Sequence, residues 1–317
     1  SSLLLTVLVA GAQAAPTLPA VSAAMDATIA AKEVAGAVTV VVSKDAVLHI
    51  GANGLADIAA KKPMREDAMF WIASISKMVT SAGVLMLQDE GKLKITDPVK
   101  DYLADAPPAW DGITIFNLLT HTSGIPSYSE FPDFNATKAL PATPQQLVDR
   151  FRDKPLDFAP GTAWRYSNSG YTLLGYLIER ISGQSYAQFL QQNIFDPLGM
   201  KDSGYDSNAG IIYQRAEGYT PGPDGKPVNA DYIDMSVPFA AGGLYSTTAD
   251  LLRWEQGLYG GKLLSVASLR QMTTAFMNHY ALGLAVNRAL DGKQIFSHGG
   301  GIYGFNSEVS YVPADRL

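Results

Sequence analysis

The sequence predicts an α+β protein in which an antiparallel sheet, built from both ends of the chain and flanked by helices, carries an inserted, mainly helical domain. Three observations lead there. A Val-rich alternating stretch fills residues 36–58, apolar residues recur at helical spacing in several segments between 78 and 278, and strand-like alternation returns from about 280. Strands at both ends with helices between imply that the two ends meet in one sheet. The expected division is 15–77 together with 279–317 as the α/β domain and 78–278 as the insert.

The elements follow in order. The opening "SSLLLTVLVAGAQAAPTLPA" sets an apolar run, Leu3 to Ala10, before Ala12-Gln13-Ala14, the pattern of a secretory signal core and its small-residue cleavage site. Residues 1–14 therefore read as part of a signal peptide lacking its initiator Met and basic start, and predict a periplasmic or secreted protein. The run is shorter than the ~20 residues that cross a bilayer, so no transmembrane span is expected in the mature chain. "PAVSAAMDATIAAKEV" (19–34) has helical spacing, and "GAVTVVVSKDAVLHIGANGLADI" (36–58) reads as a hairpin turning at Lys44-Asp45. Within the insert, "MVTSAGVLMLQDEG" closes on Gly91, "YTLLGYLIERISG" closes on Gly183, and "YAQFLQQNIF" stops before Asp196-Pro197. "TTADLLRWEQGLYG" offers Thr247 or Thr248 as its N-cap. "YALGLAVN", "KQIFSHGG" and "FNSEVSYVP" are the late strands.

Composition narrows the function. Of 317 residues, 47% are hydrophobic and 17% charged, an ordinary globular balance. The net charge of −6 leaves no basic patch to neutralise phosphates, which argues against nucleic acid as a partner. There is no cysteine, hence no thiol nucleophile and no disulfide framework. His49, His121, His279 and His298 lack metal-ligand spacing, so neither a metal nor any other cofactor is expected.

Three short motifs carry chemistry. In "FWIASISKMVT" (70–80), Ser74 and Lys77 stand three residues apart, a spacing that puts two side chains on one helix face and lets an amine take a serine proton. By spacing alone, a solvated lysine on a capped helix is the better fit. In "WRYSNSGY", Tyr166 could relay protons if a nearby ammonium lowered its pKa, and Asn168 offers both a donor and an acceptor to an amide. Ser-Asn-Ser-Gly is turn chemistry as well. In "FSHGGGIYGF" (296–305), a strand ending in His298, Gly299, Gly300 and Gly301 allows a ligand to approach the backbone closely. Its formal G-x-G-x-x-G match is no dinucleotide fingerprint, because an alternating strand follows where a helix must open.

Taken together and in this order, Ser-x-x-K, Tyr-x-Asn and His-Gly-Gly resemble the serine β-lactamase and penicillin-binding-protein superfamily, in its class C β-lactamase and DD-peptidase-like branch. "DEGKLKITDPVKDYL" (89–103), "NLLTHTSGI" (117–125), the stretch 158–200 and "AAGGLYSTTADLLRW" (240–254) resemble it too, so the likeness runs from about 20 to 312. It implies a β-lactamase/transpeptidase-like fold and an acyl-enzyme on Ser74, with Lys77 as proton acceptor and Tyr166 as proton shuttle. Asn168 would hold the substrate's amide side chain, and His298 with Gly299, Gly300 and Gly301 would form the third substrate-binding motif. The N–H groups of Ser74 and Gly301 would form the oxyanion hole. His121, in a scaffold stretch, is expected to be structural, a satisfied loop or helix-end histidine.

Two departures qualify the resemblance. His298 stands where many relatives have lysine, which weakens the positive charge offered to a substrate carboxylate near neutral pH. This favours a D-amino-acid peptidase or promiscuous esterase, with a β-lactamase or a penicillin-binding sensor that acylates without turnover as alternatives. The partner is a small molecule or peptide: a peptidoglycan-like D-peptide, an ester or a β-lactam. No G-x-S-x-G is present, which disfavours an α/β-hydrolase. The sequence stops at "YVPADRL", where relatives add a strand and a final helix; without them a sheet edge and one face of the 19–34 helix would lack cover.

Overall fold

The computed structural model describes residues 17–31, 34–43 and 46–316. The leader at 1–14 and the Lys44-Asp45 turn lie outside the described residues. The protein is α+β with antiparallel sheets and helices, as its sequence pattern predicts.

β1 (Gly36–Ser43) and β2 (Ala46–Asp57) pair antiparallel from Gly36↔Gly54 to Ser43↔Ala46, with an irregularity at Val41/Val42, and β3 (Lys62–Pro63) joins β2. β4 (Phe70–Trp71), β5 (Gly204–Tyr205) and, beyond the β6–β7 hairpin (Tyr219–Pro221 with Pro227–Asn229), β8 (Leu244–Ser246) include a sheet of order β4-β8-β5. β9 (Ala285–Arg288), β10 (Gln294–Ile302) and β11 (Phe305–Tyr311) form the third sheet, with β10 central.

One sheet from both termini was the expectation; among the described residues the strands of the two ends fall in separate three-stranded sheets, β1-β2-β3 and β11-β10-β9. A cavity of about 300 Å³, lined in part by Val42, Glu255, Tyr259 and Tyr311, lies where β1 and β11 face each other. The helix Pro19–Ala30 has no buried residue despite its apolar composition. It is tethered by polar contacts instead: Leu18 N–H donates to His49 Nδ1 at 3.1 Å, and Asn53 donates to Asp26 at 2.8 Å.

The main core surrounds the helix Ser76–Asp89, in which every residue from Ser76 to Leu85 is buried. A helix apolar all round belongs inside a protein. It packs on the helices Asn168–Ser182 and Phe239–Gly242. Gly175 lets those two helices approach each other, since a Cβ there would stand 2.3 Å from the Ala240 Cβ. Asn168–Ser182 opens on Ser167, whose hydroxyl accepts the Gly170 N–H, and ends at Gly183 with φ 72°, where a side chain would be strained.

Two local expectations change. The helix after Tyr186 does not stop at Asp196-Pro197: Tyr186–Leu190 passes through a π turn, Gln191–Phe195, into Asp196–Leu198, and Gly199 at φ 67° ends it. Proline is tolerated there because it sits in the first turn of the last segment, where no intrahelical N–H bond is needed. "YALGLAVN" is a strand only from Ala285, because Gly283 turns the chain at φ 81°. The strand expected to end in His298 and three glycines is β10, which runs one residue further to Ile302.

Candidate active site

Ser74 lies in a single 3₁₀ turn, Ala73–Ile75, that leads into Ser76–Asp89, so the Ser-x-x-K pair spans the junction of the two. Ala73 adopts φ 46°, a left-handed conformation costly for a residue with a Cβ, directly before the serine. The first helical turn then brings Lys77 Nζ to 3.0 Å from Ser74 Oγ and 2.7 Å from the Ala241 carbonyl oxygen, which accepts from it. Lys77 is fully buried. Burial alone drives its pKa well below the usual lysine value, because the ammonium is desolvated with no carboxylate to offset the cost. A lysine whose pKa is lowered in this way is better matched than an exposed one to exchange a proton with the hydroxyl beside it.

The Tyr166 ring centre is 4.7 Å from Lys77 Nζ, and its hydroxyl lies near enough to the Ser74 side chain for a weak hydrogen-bonding influence on its pKa. Ser74, Lys77 and Tyr166 thus meet. The expectation that an ammonium lowers the tyrosine's pKa is not met: burial raises it, outweighing the hydrogen bond, because both groups favour their neutral forms in this dry pocket. Tyr166 is therefore held as a protonated phenol.

Asn168 begins its helix facing the 127–130 loop. Its N–H donates to Ser127 Oγ at 3.1 Å and its side-chain amide donates to Ser129 Oγ at 2.9 Å, which orients the Asn168 amide. His298 stands on β10, whose pairing with β9 ends at Ser297, so from His298 onward one edge of β10 faces the serine turn. Gly300 is the point of closest approach: a Cβ there would lie 2.3 Å from Ile72 O and 3.1 Å from Ser74 N. Gly299 and Gly301 are less confined; added Cβ atoms would first meet the Glu308 carboxylate at 2.8 Å and the Asn306 amide oxygen at 3.6 Å. Gly300 thus brings this edge of β10 against the main chain of the serine turn.

His298 is held neutral. Its Nδ1 lies 2.6 Å from the Gly299 carbonyl oxygen, which can only accept, so Nδ1 carries the proton and Nε2 accepts from the Tyr280 hydroxyl at 3.0 Å. Burial first, and then Lys77, lower its pKa to about 4. Sequence reasoning missed Tyr280, which sits ahead of a strand in a stretch whose only visible pattern was alternation. It also missed the Ala241 carbonyl and the Ser127 and Ser129 hydroxyls, since main-chain acceptors and loop serines carry no periodicity. His121 is buried, but only Nδ1 has a partner, the Ser167 N–H at 3.1 Å. It is thus not the fully satisfied histidine expected.

A hydroxyl paired with a buried amine, a phenol beside both, and a glycine edge against the serine turn thus lie together in one site. A family model described as Beta-lactamase matches residues 21–317, and the chain belongs to that family. It is 31% identical over 281 residues to penicillin-binding protein 4* of Bacillus subtilis (strain 168), covering 82% of this chain and 62% of that protein. It is 30% identical over 264 residues to esterase EstB of Burkholderia gladioli, covering 73% of this chain and 67% of that one. The structure matches that of D-amino acid amidase from Ochrobactrum anthropi SV3, complexed with D-phenylalanine, with TM-score 0.84 and 26% identity over 94% of this chain and 88% of that one. The chain spans 62% and 53% of the lengths of two penicillin-binding relatives from B. subtilis.

Proposed function

We propose that this chain is an exported hydrolase of D-amino-acid amides and peptides or of simple esters, acylated on Ser74. The observation that carries the reading is the neutral His298, locked between Tyr280 and the Gly299 carbonyl. A site that must capture a carboxylate needs a standing cation, and this histidine supplies none above pH about 5. The names of the relatives, an esterase and a D-amino acid amidase among them, support the same class. Export to the periplasm or beyond rests on the leader pattern of residues 1–14.

The reaction balances within the site. Ser74 Oγ attacks the substrate carbonyl as its proton passes to Lys77 Nζ, and the carbonyl electrons move to an oxygen held by the N–H groups of Ser74 and Gly301. On collapse the C–N or C–O bond breaks, Tyr166 gives its proton to the departing group, and Lys77 restores that proton to Tyr166. Water, deprotonated through the same pair, then releases the acid and Ser74. Asn168 receives the amide of the acyl portion.

The test is a panel of p-nitrophenyl butyrate, a D-phenylalanine amide, a D-Ala-D-Ala peptide and nitrocefin, run with the protein and with Ser74→Ala. Turnover of ester or D-amide that is lost in Ser74→Ala supports the reading. Faster turnover of nitrocefin would replace it by a β-lactamase, and a lasting acyl adduct by mass spectrometry without turnover would replace it by a penicillin-binding sensor.

A further inference from the structure

The contacts of His121 converge on one residue. Its carbonyl oxygen accepts the Arg165 N–H at 3.0 Å, its Nδ1 accepts the Ser167 N–H at 3.1 Å, and its ring packs on the Tyr166 ring with centroids 4.3 Å apart. The residues before and after Tyr166 are thus fixed by main chain and side chain of a single histidine, which also supports the phenol ring. On its other side the His121 ring meets Tyr280 at 4.8 Å, the residue that holds His298.

The arrangement carries costs that stability alone does not repay. His121 has φ 58°, in the left-handed region that β-carbon residues avoid. Because Nδ1 accepts, the proton resides on Nε2, and that buried N–H has no partner among the described residues. A histidine chosen only to fill space would have both nitrogens satisfied or be replaced by an apolar ring. An acceptor at Nδ1 and a flat face against Tyr166 are what an apolar ring cannot supply together.

We propose that His121 is a positioning residue for Tyr166: it fixes the backbone and ring of the tyrosine so that the phenol hydroxyl stays on Ser74 Oγ. It touches neither substrate nor the reacting atoms and acts through Tyr166 alone. The inference rests on the role given to Tyr166 above. A displacement of about 1 Å in a proton-transferring group costs on the order of 10²-fold in rate, so the effect falls on acylation and spares binding.

The experiment is a double-mutant cycle on the acylation rate with a p-nitrophenyl ester, using His121→Gln, His121→Asn, Tyr166→Phe and the combination of His121→Gln with Tyr166→Phe. Glutamine cannot place an acceptor where Nδ1 stands, whereas asparagine can, and asparagine also tolerates positive φ. The expected result is a loss of about tenfold or more in kcat for His121→Gln with KM within about threefold, and recovery to within about threefold of the native rate in His121→Asn. In the Tyr166→Phe background His121→Gln should add less than about twofold, since its effect has no other route. The inference is overturned if His121→Gln keeps the native kcat, if asparagine recovers no more than glutamine, or if the loss persists undiminished without the phenol. Native activity in Tyr166→Phe would instead overturn the role of Tyr166 itself, and His121 with it.

Discussion

The Tyr280 hydroxyl donates to His298 Nε2 across 3.0 Å while His298 Nδ1–H donates to the Gly299 carbonyl oxygen at 2.6 Å. Both nitrogens are engaged with the ring neutral, and protonation would require the Tyr280 hydroxyl to turn from donor to acceptor. The cleft therefore presents dipoles where a lysine would present charge. The expected consequence is a kcat/KM at least about tenfold higher for a D-amino-acid amide or ester than for the matching peptide with a free terminal carboxylate. Tyr280→Phe frees Nε2 to bind a proton and should narrow that ratio below pH 6. A ratio near one in the native protein, measured at pH 7, would contradict the assignment.

Lys77 gives a second prediction, with its sign set by burial. Only the neutral amine accepts the Ser74 proton, and desolvation moves its pKa well below the ordinary lysine value. Acylation should be fast and flat on the alkaline side and fall as pH drops through that lowered value. An acid limb lying near pH 10, the value of an exposed lysine, would exclude the amine as base. Lys77→Arg, which keeps a cation that cannot lose its proton, should lower acylation by about 10³-fold or more, comparable to removing a general base.

The three glycines of β10 are not equivalent. Gly300→Ala would put a Cβ 2.3 Å from Ile72 O and 2.5 Å from Ser307 Oγ, and the backbone carrying Ser74 would have to move. Activity should fall by about 10²-fold or more, with a loss of about 1–3 kcal/mol in stability from overpacking. Gly301→Ala meets nothing closer than 3.6 Å and should retain activity within about fivefold. Steady-state rates and chemical denaturation of the two variants, side by side, check the contrast; equal effects would mean that β10 does not abut the nucleophile turn.

The sequence exposed the order of the motifs and the helical middle of the chain because both rest on local periodicity and spacing. It could also place Thr247 as a cap candidate, since an N-cap acts on N–H groups within its own first turn, and here it accepts from Asp250 N–H. What stayed hidden depends on distant approach. Ala241 contributes a carbonyl to Lys77 from 164 residues away, and Tyr280 reaches His298 only because Gly283 turns the chain. The strain at Ala73 and His121 is equally unreadable, as neither is a residue type that announces positive φ. The single sheet was expected because alternation marks strands without naming their partners. Which edges meet is decided by the chain between them.

The open space between β1 and β11 leads to the last prediction. Glu255, on the helix Thr248–Tyr259, lines it with its Oε1 unpartnered, and burial pushes its pKa up to about 8. In the unfolded chain the same group ionises near pH 4.5. Between these values the folded protein holds a proton that the unfolded chain has released, so stability falls as pH rises from about 5 to 8. His121 and His298 act in the opposite sense: both are held neutral by burial, so they destabilise the fold as pH drops below about 6.5. Maximum stability should therefore lie near pH 5–6. Glu255→Gln removes the titration while keeping the shape. It should flatten the alkaline side and raise stability at pH 8 by about 1–3 kcal/mol, read from denaturant midpoints at constant m. If Glu255→Gln and the native protein lose stability in parallel between pH 5 and 8, the carboxyl is ionised in the fold and the cavity is wetter than its lining implies.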